Sequence, residues 1–135
     1  MKITICASLK FHDELLDLER RLKDLGHVVY MPIKVDGVDY WAKDGSARVA
    51  AKRGLGLISK HMDKIKGSNA ILVANYTKRN IKNYIGANTF AEIIFASYVN
   101  KKIFLLNPIP NQSYIVDEIQ SVNPILLNGD LAKVK

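Results

Sequence analysis

The sequence predicts an α/β fold: a single doubly wound domain over residues 1–135, with about five mainly parallel strands and helices on both faces. Three observations predict it. Short apolar or β-branched runs alternate with longer segments of helical period, in the order β-α-β-α-β-α-β-α-β. The runs at 2–7 and 70–74 are apolar without alternation, as in strands buried on both faces. At 135 residues, with no internal repeat or low-complexity stretch, the chain has the size of one domain and should bury roughly two-thirds of its unfolded surface.

The elements follow in order. Residues 2–7 read as a first strand. From Phe11 to Leu25 the period changes, with Leu15, Leu18, Leu22 and Leu25 at helical spacing. Asp13, Glu14, Asp17 and Glu19 precede Arg20, Arg21 and Lys23, an order that suits the helix dipole, and Gly26 stands where a C-terminal cap belongs. Residues 27–31 return to strand character and Pro32 ends them. The segment 32–45, with Pro32, Gly37, Gly45 and three Asp, reads as a long loop of the kind that often carries function. Ser46 is placed to cap a helix running to about 66, striped by Leu55, Ile58, Met62 and Ile65 and weakened by Gly54 and Gly56. Residues 70–74 form the next strand, followed by the polar, basic segment 75–85. The segment 89–100 is apolar nearly all round, which predicts a helix buried on most sides. A strand at 102–106, a short helix near 114–121, a last strand at 124–127 and a polar tail complete the chain.

Composition removes several classes. A single Cys6 excludes an intramolecular disulfide and a multi-cysteine zinc site, and it suits a reducing compartment. His12, His27 and His61 show no metal-ligand spacing, so neither metal nor cofactor is expected. No apolar run approaches the ~20 residues needed to span a bilayer, and the N-terminus reads as a strand rather than a signal peptide. A cytoplasmic protein without a membrane partner is the expectation. The formal net charge is +7, and it is localised. Residues 1–42 carry 6 basic and 7 acidic groups, residues 43–82 carry 10 and 2, and residues 83–135 carry 4 of each. The excess alone supports a nucleic-acid-associated protein, but no recognised motif or aromatic–basic platform accompanies it, so nucleic acid is not the expected partner.

Ligands of doubly wound folds bind outside the carboxyl ends of the strands, which here are Cys6-Ala7-Ser8, Met31, Asn75-Tyr76 and Asn107-Pro108. Neither GxGxxG after the first strand nor GxxxxGK[ST] is present, and Gly54-Leu55-Gly56 falls inside a predicted helix. Ser8, where the first strand gives way to the first helix, suits a phosphate or sugar hydroxyl, or equally a local cap. Glu92 lies in the most apolar helix, where a carboxylate is costly unless paired. It reads either as the partner of Thr89 in a capping box or as a functional carboxylate. Asp63, between Lys60 and Lys66, reads as an exposed helix ion pair or as a second carboxylate converging with Glu92. Two converging carboxylates permit glycosidic chemistry, one attacking the anomeric carbon and the other handling protons.

Residues 61–75, His61-Met62-Asp63 through Ala70-Ile71-Leu72-Val73-Ala74-Asn75, resemble the Asp-containing helix and following strand of the nucleoside 2-deoxyribosyltransferase superfamily. Gly86-Ala87-Asn88-Thr89-Phe90-Ala91-Glu92, followed by the strand at 102–106, is similar to that family's nucleophile helix and next strand. The resemblance runs from the first strand to Pro110 and is closest to the small members of the family. It implies a flavodoxin-like fold, a nucleoside or nucleotide as ligand, and a homo-oligomer. Catalytic roles would fall to Glu92, as nucleophile toward C1′ of the sugar, and to Asp63. Cys6, Ala7, Ser8, Asn75, Gly86 and Asn88 would line the substrate site. Lys78, Arg79 and Lys82, near a strand end, are candidates for a phosphate.

Three departures bear on activity. Gly86 stands where transferases carry a second Asp, Ile94 replaces a Gly beside the nucleophile, and Asn69 replaces an Asp before the third strand. The resemblance therefore implies hydrolysis of an N-glycosidic bond, in a nucleoside or deoxynucleoside 5′-monophosphate, rather than transfer. The alternatives are a non-catalytic nucleotide-binding or sensing module of the same fold and, second, a nucleic-acid-associated basic protein.

Overall fold

The computed structural model describes residues 1–135. Five strands, β1 (Lys2–Cys6), β2 (Val28–Tyr30), β3 (Ala70–Val73), β4 (Lys102–Leu105) and β5 (Ile125–Leu126), form one sheet in the order β2-β1-β3-β4-β5. Every pairing is parallel, with Ile3 opposite Val29 on one side and Ala70 on the other. The helices are α1 (His12–Asp24), α2 (Ser46–Leu55), α3 (Leu57–Lys66), α4 (Ala87–Tyr98) and α5 (Val116–Ser121). No helix is long and apolar enough to cross a membrane.

The unbroken apolar runs of β1 and β3 are explained by burial on both faces. Leu15, Leu18 and Leu22 of α1 pack with Ile3, Ile5, Leu72 and Phe104 on one side of the sheet. Ile65 of α3, Ile93 and Ala96 of α4 and Ile119 of α5 pack with Ile71, Val73, Ile103 and Leu105 on the other. The doubly wound expectation thus holds, with α1 alone opposite the other packed helices.

Three element readings are corrected. The helix expected over 46–66 breaks at Gly56, whose φ of 60° is left-handed, and whose N–H caps α2 on the Lys52 carbonyl. The break re-aims the chain: α2 has no buried residue, whereas α3 buries His61 and Ile65. The helix near 89–100 begins earlier, at Ala87, and is buried on one side rather than most: Thr89, Glu92, Ile93 and Ala96 are buried, whereas Ala87, Asn88, Ala91, Ile94 and Tyr98 are exposed. The polar tail is structural, because a 3-10 turn at Leu131–Lys133 returns Leu131 and Val134 to the α1 side of the core.

Two buried amides tie together the segments that leave β3 and β4. Asn75 Nδ2 donates to the Asn107 and Pro108 carbonyls, both at 3.0 Å, and its Oδ1 accepts from the Asn107 N–H at 2.9 Å. Gln112 likewise accepts from the Ile85 N–H at 2.8 Å and donates to the Ile85 carbonyl at 2.9 Å. The Asn75 bonds continue the β3–β4 pairing where the backbones diverge, and the Gln112 bonds tie the segment before α4 to the segment before α5. Asn75→Ala would leave several buried backbone groups unpaired. It is expected to lower unfolding free energy by about 2–4 kcal/mol, measured by urea denaturation.

Candidate active site

β1 pairs with β2 on one edge and β3 on the other, and the chain leaves β1 toward α1 but β3 toward α4, on opposite faces of the sheet. The divergence opens a crevice at their carboxyl ends. A cavity of about 220 Å³ lies there. Its walls come from the turn after β1, the segments after β2 and β3, helices α2 and α3, and the first two turns of α4.

Glu92 lies in this wall although it is only 4% exposed. Thr89 does not cap the helix. Gly86 occupies the N-cap in extended conformation, Thr89 lies one turn inside, and no side chain caps the end. The capping-box alternative is therefore corrected, and the Glu92 carboxylate is turned to the cavity. Its Oε1 accepts from Asn88 Nδ2 at 2.8 Å, one helical turn away. Its Oε2 has no hydrogen-bond partner. Nε2 of the buried His61 lies 3.6 Å from it. The thiol of Cys6, at the end of β1, lies 3.6 Å from the same nitrogen and also faces the carboxylate.

Burial governs the charge of all three groups. Burial pushes Glu92 up to about 7, against the lowering effects of Cys6, Asn88 and Lys52. Burial, with Lys64 nearby, brings His61 down to about 4. Burial, reinforced by the facing Glu92 carboxylate, raises the Cys6 thiol well above its usual value. Between about 4 and 7 the His61–Glu92 contact therefore joins a neutral imidazole to a neutral carboxyl, and is no ion pair. Near neutral pH the carboxylate forms at a site where water solvates it poorly, which favours its use as a nucleophile.

The mouth of the cavity is cationic. Lys10, Arg48, Lys52 and Lys78 line it, and none forms a salt bridge with a carboxylate. The adjoining Lys78 ammonium, with partial burial and the fields of Arg79 and Arg48, brings Lys10 down to about 8. Such mutual repulsion marks a place where an anion is favoured. Lys78 is also held over the Tyr84 ring, 4.7 Å from its centroid.

The structure distributes the expected residues unevenly. Glu92, Ala7, Ser8, Gly86, Asn88 and Lys78 line the cavity. Ser8 also accepts from the Lys10 N–H at 3.3 Å, so its local cap and its place in the wall coexist. Cys6 is fully buried and sits behind His61 instead of in the wall. Asn75 is outside the wall because its amide holds the strand ends. Arg79 and Lys82 are exposed and outside it. Asp63 is corrected as a partner of Glu92: it is exposed, about 200° around α3 from the buried His61, and does not reach the cavity. Nothing in the sequence singles out His61, Lys10, Arg48, Lys52 and Tyr84, which also line the cavity. His61 stands two residues before Asp63 in the same helix, and only helical phase shows which of the two points inward.

The three departures also acquire positions. A side chain begun at Gly86 would place its Cβ 3.3 Å from the Tyr84 hydroxyl, so a second carboxylate there would require the phenol to shift. Ile94 is 39% exposed on the outer side of α4 and crowds nothing. Asn69 accepts from the Lys2 N–H at 2.7 Å, at the amino end of the sheet and away from the cavity.

No family model and no curated protein matches the chain. Solved structures that share its fold include two enzymes. One is the 2-deoxyribosyltransferase of the psychrotolerant bacterium Bacillus psychrosaccharolyticus, 17% identical, with 78% of this chain and 71% of that one covered at a TM-score of 0.55. The other is the CMP N-glycosidase BcmB of Clostridium botulinum, 18% identical, with 95% and 90% covered and a TM-score of 0.55. The protein thus has the flavodoxin-like α/β fold of these two enzymes.

The buried carboxylate has a measurable signature. A folded-state value of about 7 against an ordinary 4.5 means that wild-type stability falls as pH rises through this interval. Glu92→Gln cannot ionise. It is expected to match wild type below about pH 4.5 and to exceed it by about 3 kcal/mol at pH 8, in denaturant titrations with chelator present. His61 destabilises both proteins on acidification through the interval from 6.5 to 4, so it cancels in the comparison.

Proposed function

We propose that the protein hydrolyses the N-glycosidic bond of a nucleoside 5′-monophosphate, with Glu92 as nucleophile. One observation carries the reading: a nearly buried carboxylate forms the inner wall of a cavity whose mouth holds four unpaired cations. A ligand with an electrophilic carbon at one end and a phosphate at the other matches that polarity. The shared fold of a CMP N-glycosidase and a 2-deoxyribosyltransferase supports the reaction class.

The ionised Glu92 attacks C1′, and the bond to the base breaks with its electron pair leaving on the base, which takes a proton from water. A water molecule then attacks C1′, releasing the sugar phosphate and restoring the carboxylate. Asn88 orients the carboxylate through its 2.8 Å bond to Oε1. Lys10, Lys78 and Arg48 would bind the phosphate. Water, rather than a second sugar acceptor, completes the reaction because no other carboxylate lines the cavity to activate an acceptor.

A second reading, nucleotide binding without turnover, is favoured by that same absence of a second carboxylate. Purified protein incubated with ribo- and deoxyribonucleoside 5′-monophosphates separates the two. Hydrolysis releases free base, detectable by liquid chromatography, and Glu92→Gln lowers the rate by at least about 1000-fold. Lys78→Ala is expected to raise KM about tenfold or more for the monophosphate, and little for the unphosphorylated nucleoside. Thermal stabilisation by nucleotide with no base released would instead establish the binding module.

A further inference from the structure

Cys6, His61 and Glu92 come from three different elements, yet one donor atom from each lies within 4.8 Å of the other two. The proposed hydrolysis uses only the carboxylate. We infer that these side chains form a site for a thiophilic divalent cation of the zinc type, with a fourth coordination position open to the cavity. The geometry suits such an ion. Tetrahedral bonds of zinc to sulfur, nitrogen and oxygen place the donors roughly 3.3–3.6 Å apart. Cys6 Sγ and Glu92 Oε2 each lie 3.6 Å from His61 Nε2. The site is also short of partners, because Glu92 Oε2, in a side chain 6% exposed, accepts no hydrogen bond.

Donor chemistry selects the ion. One sulfur, one imidazole nitrogen and one carboxylate oxygen suit zinc, cobalt or nickel, and fit magnesium and calcium poorly. Binding would release the Cys6 thiol proton to solvent, and the thiolate and carboxylate together neutralise a doubly charged ion. No net charge is then buried. The cations at the mouth oppose entry, but they act across solvent and not on the ligands' final balance. Because His61 and Glu92 lie in the cavity wall while Cys6 lies behind them, the free coordination position faces the cavity. An occupied site holds the Glu92 carboxylate and makes it unavailable as a nucleophile.

Full-length protein freed of metal by chelation, then titrated with Co²⁺, tests the site independently of any reaction. One ion per chain is expected, with a thiolate-to-cobalt charge-transfer band and the intense visible bands of four-coordinate cobalt, displaced by Zn²⁺ but not by excess Mg²⁺. Cys6→Ser should abolish the charge-transfer band, and His61→Ala should weaken binding at least tenfold, with circular dichroism confirming both folds. If neither variant folds, the wild-type band decides. Absence of stoichiometric binding, or a cobalt spectrum without thiolate character, would overturn the site. Its consequence rests on the proposed hydrolysis: Zn²⁺ should suppress base release and chelator restore it. A cobalt spectrum without base release leaves the metal site standing and removes the hydrolysis. Base release insensitive to Zn²⁺, with no cobalt spectrum, does the reverse.

Discussion

Parallel pairing of β1 with a neighbour on each side is the constraint on which the remainder of the molecule depends. β1 has Ile3, Ile5 and Cys6 fully buried, and it pairs with β2 and β3 along one register. A parallel strand must be followed by a crossover, and crossovers in both directions cannot share one face. The chain after β1 therefore departs to one side and the chain after β3 to the other. Between them the sheet ends without cover, and there the cavity forms. Asn75 and Gln112 matter for the same reason. Asn75 supplies hydrogen bonds that the separating strand ends can no longer make to each other, and Gln112 ties the segments leading into α4 and α5.

That geometry places a carboxylate under unusual stress. Glu92 sits on a helix whose neighbouring side chains, Ile93 and Ala96, belong to the core, yet its own carboxyl carries only one hydrogen bond. A group chosen for stability would be paired or replaced. An acid left partly unsatisfied at the edge of a cavity, with a neutral imidazole and a thiol as neighbours, is a group held ready for another partner, whether a carbon atom or a cation. The same feature underlies both the reaction proposed for the protein and the metal site inferred beside it.

The cationic mouth supplies the other half of the polarity. Of the basic residues in 43–82, Arg48, Lys52 and Lys78 converge on the cavity, and Lys10 joins them from outside that segment. α2 brings Arg48 and Lys52 there although it buries none of its own residues. Arg48 is steadied by donating to the Ala42 carbonyl at 2.6 Å, within the long loop after β2. A charge excess that looks like a strip along the chain is, in space, partly a ring around one opening. Its natural counterpart is a compact anion.

Much of the architecture was legible because it follows from local periodicity and burial. Continuous apolar runs identify β1 and β3, and leucine spacing identifies α1 with its buried face. The carboxylate in an apolar helix was legible too, as a local conflict that needed a reason. What could not be read was the phase and break of α3. Asp63 and His61 stand two residues apart, and only the left-handed turn at Gly56, with the packing of Ile65 against the sheet, sets His61 inward and Asp63 outward. Nor could spacing reveal that Cys6, His61 and Glu92 meet, since 55 residues separate the first two. The sequence by itself determined the alternation of elements, the identity of the anomalous carboxylate and the location of the charge excess, because these are properties of neighbours along the chain. Only the tertiary structure decided which side chains surround that carboxylate. Helix rotation and strand order are settled by packing between distant segments, and small changes in either exchange one polar neighbour for another.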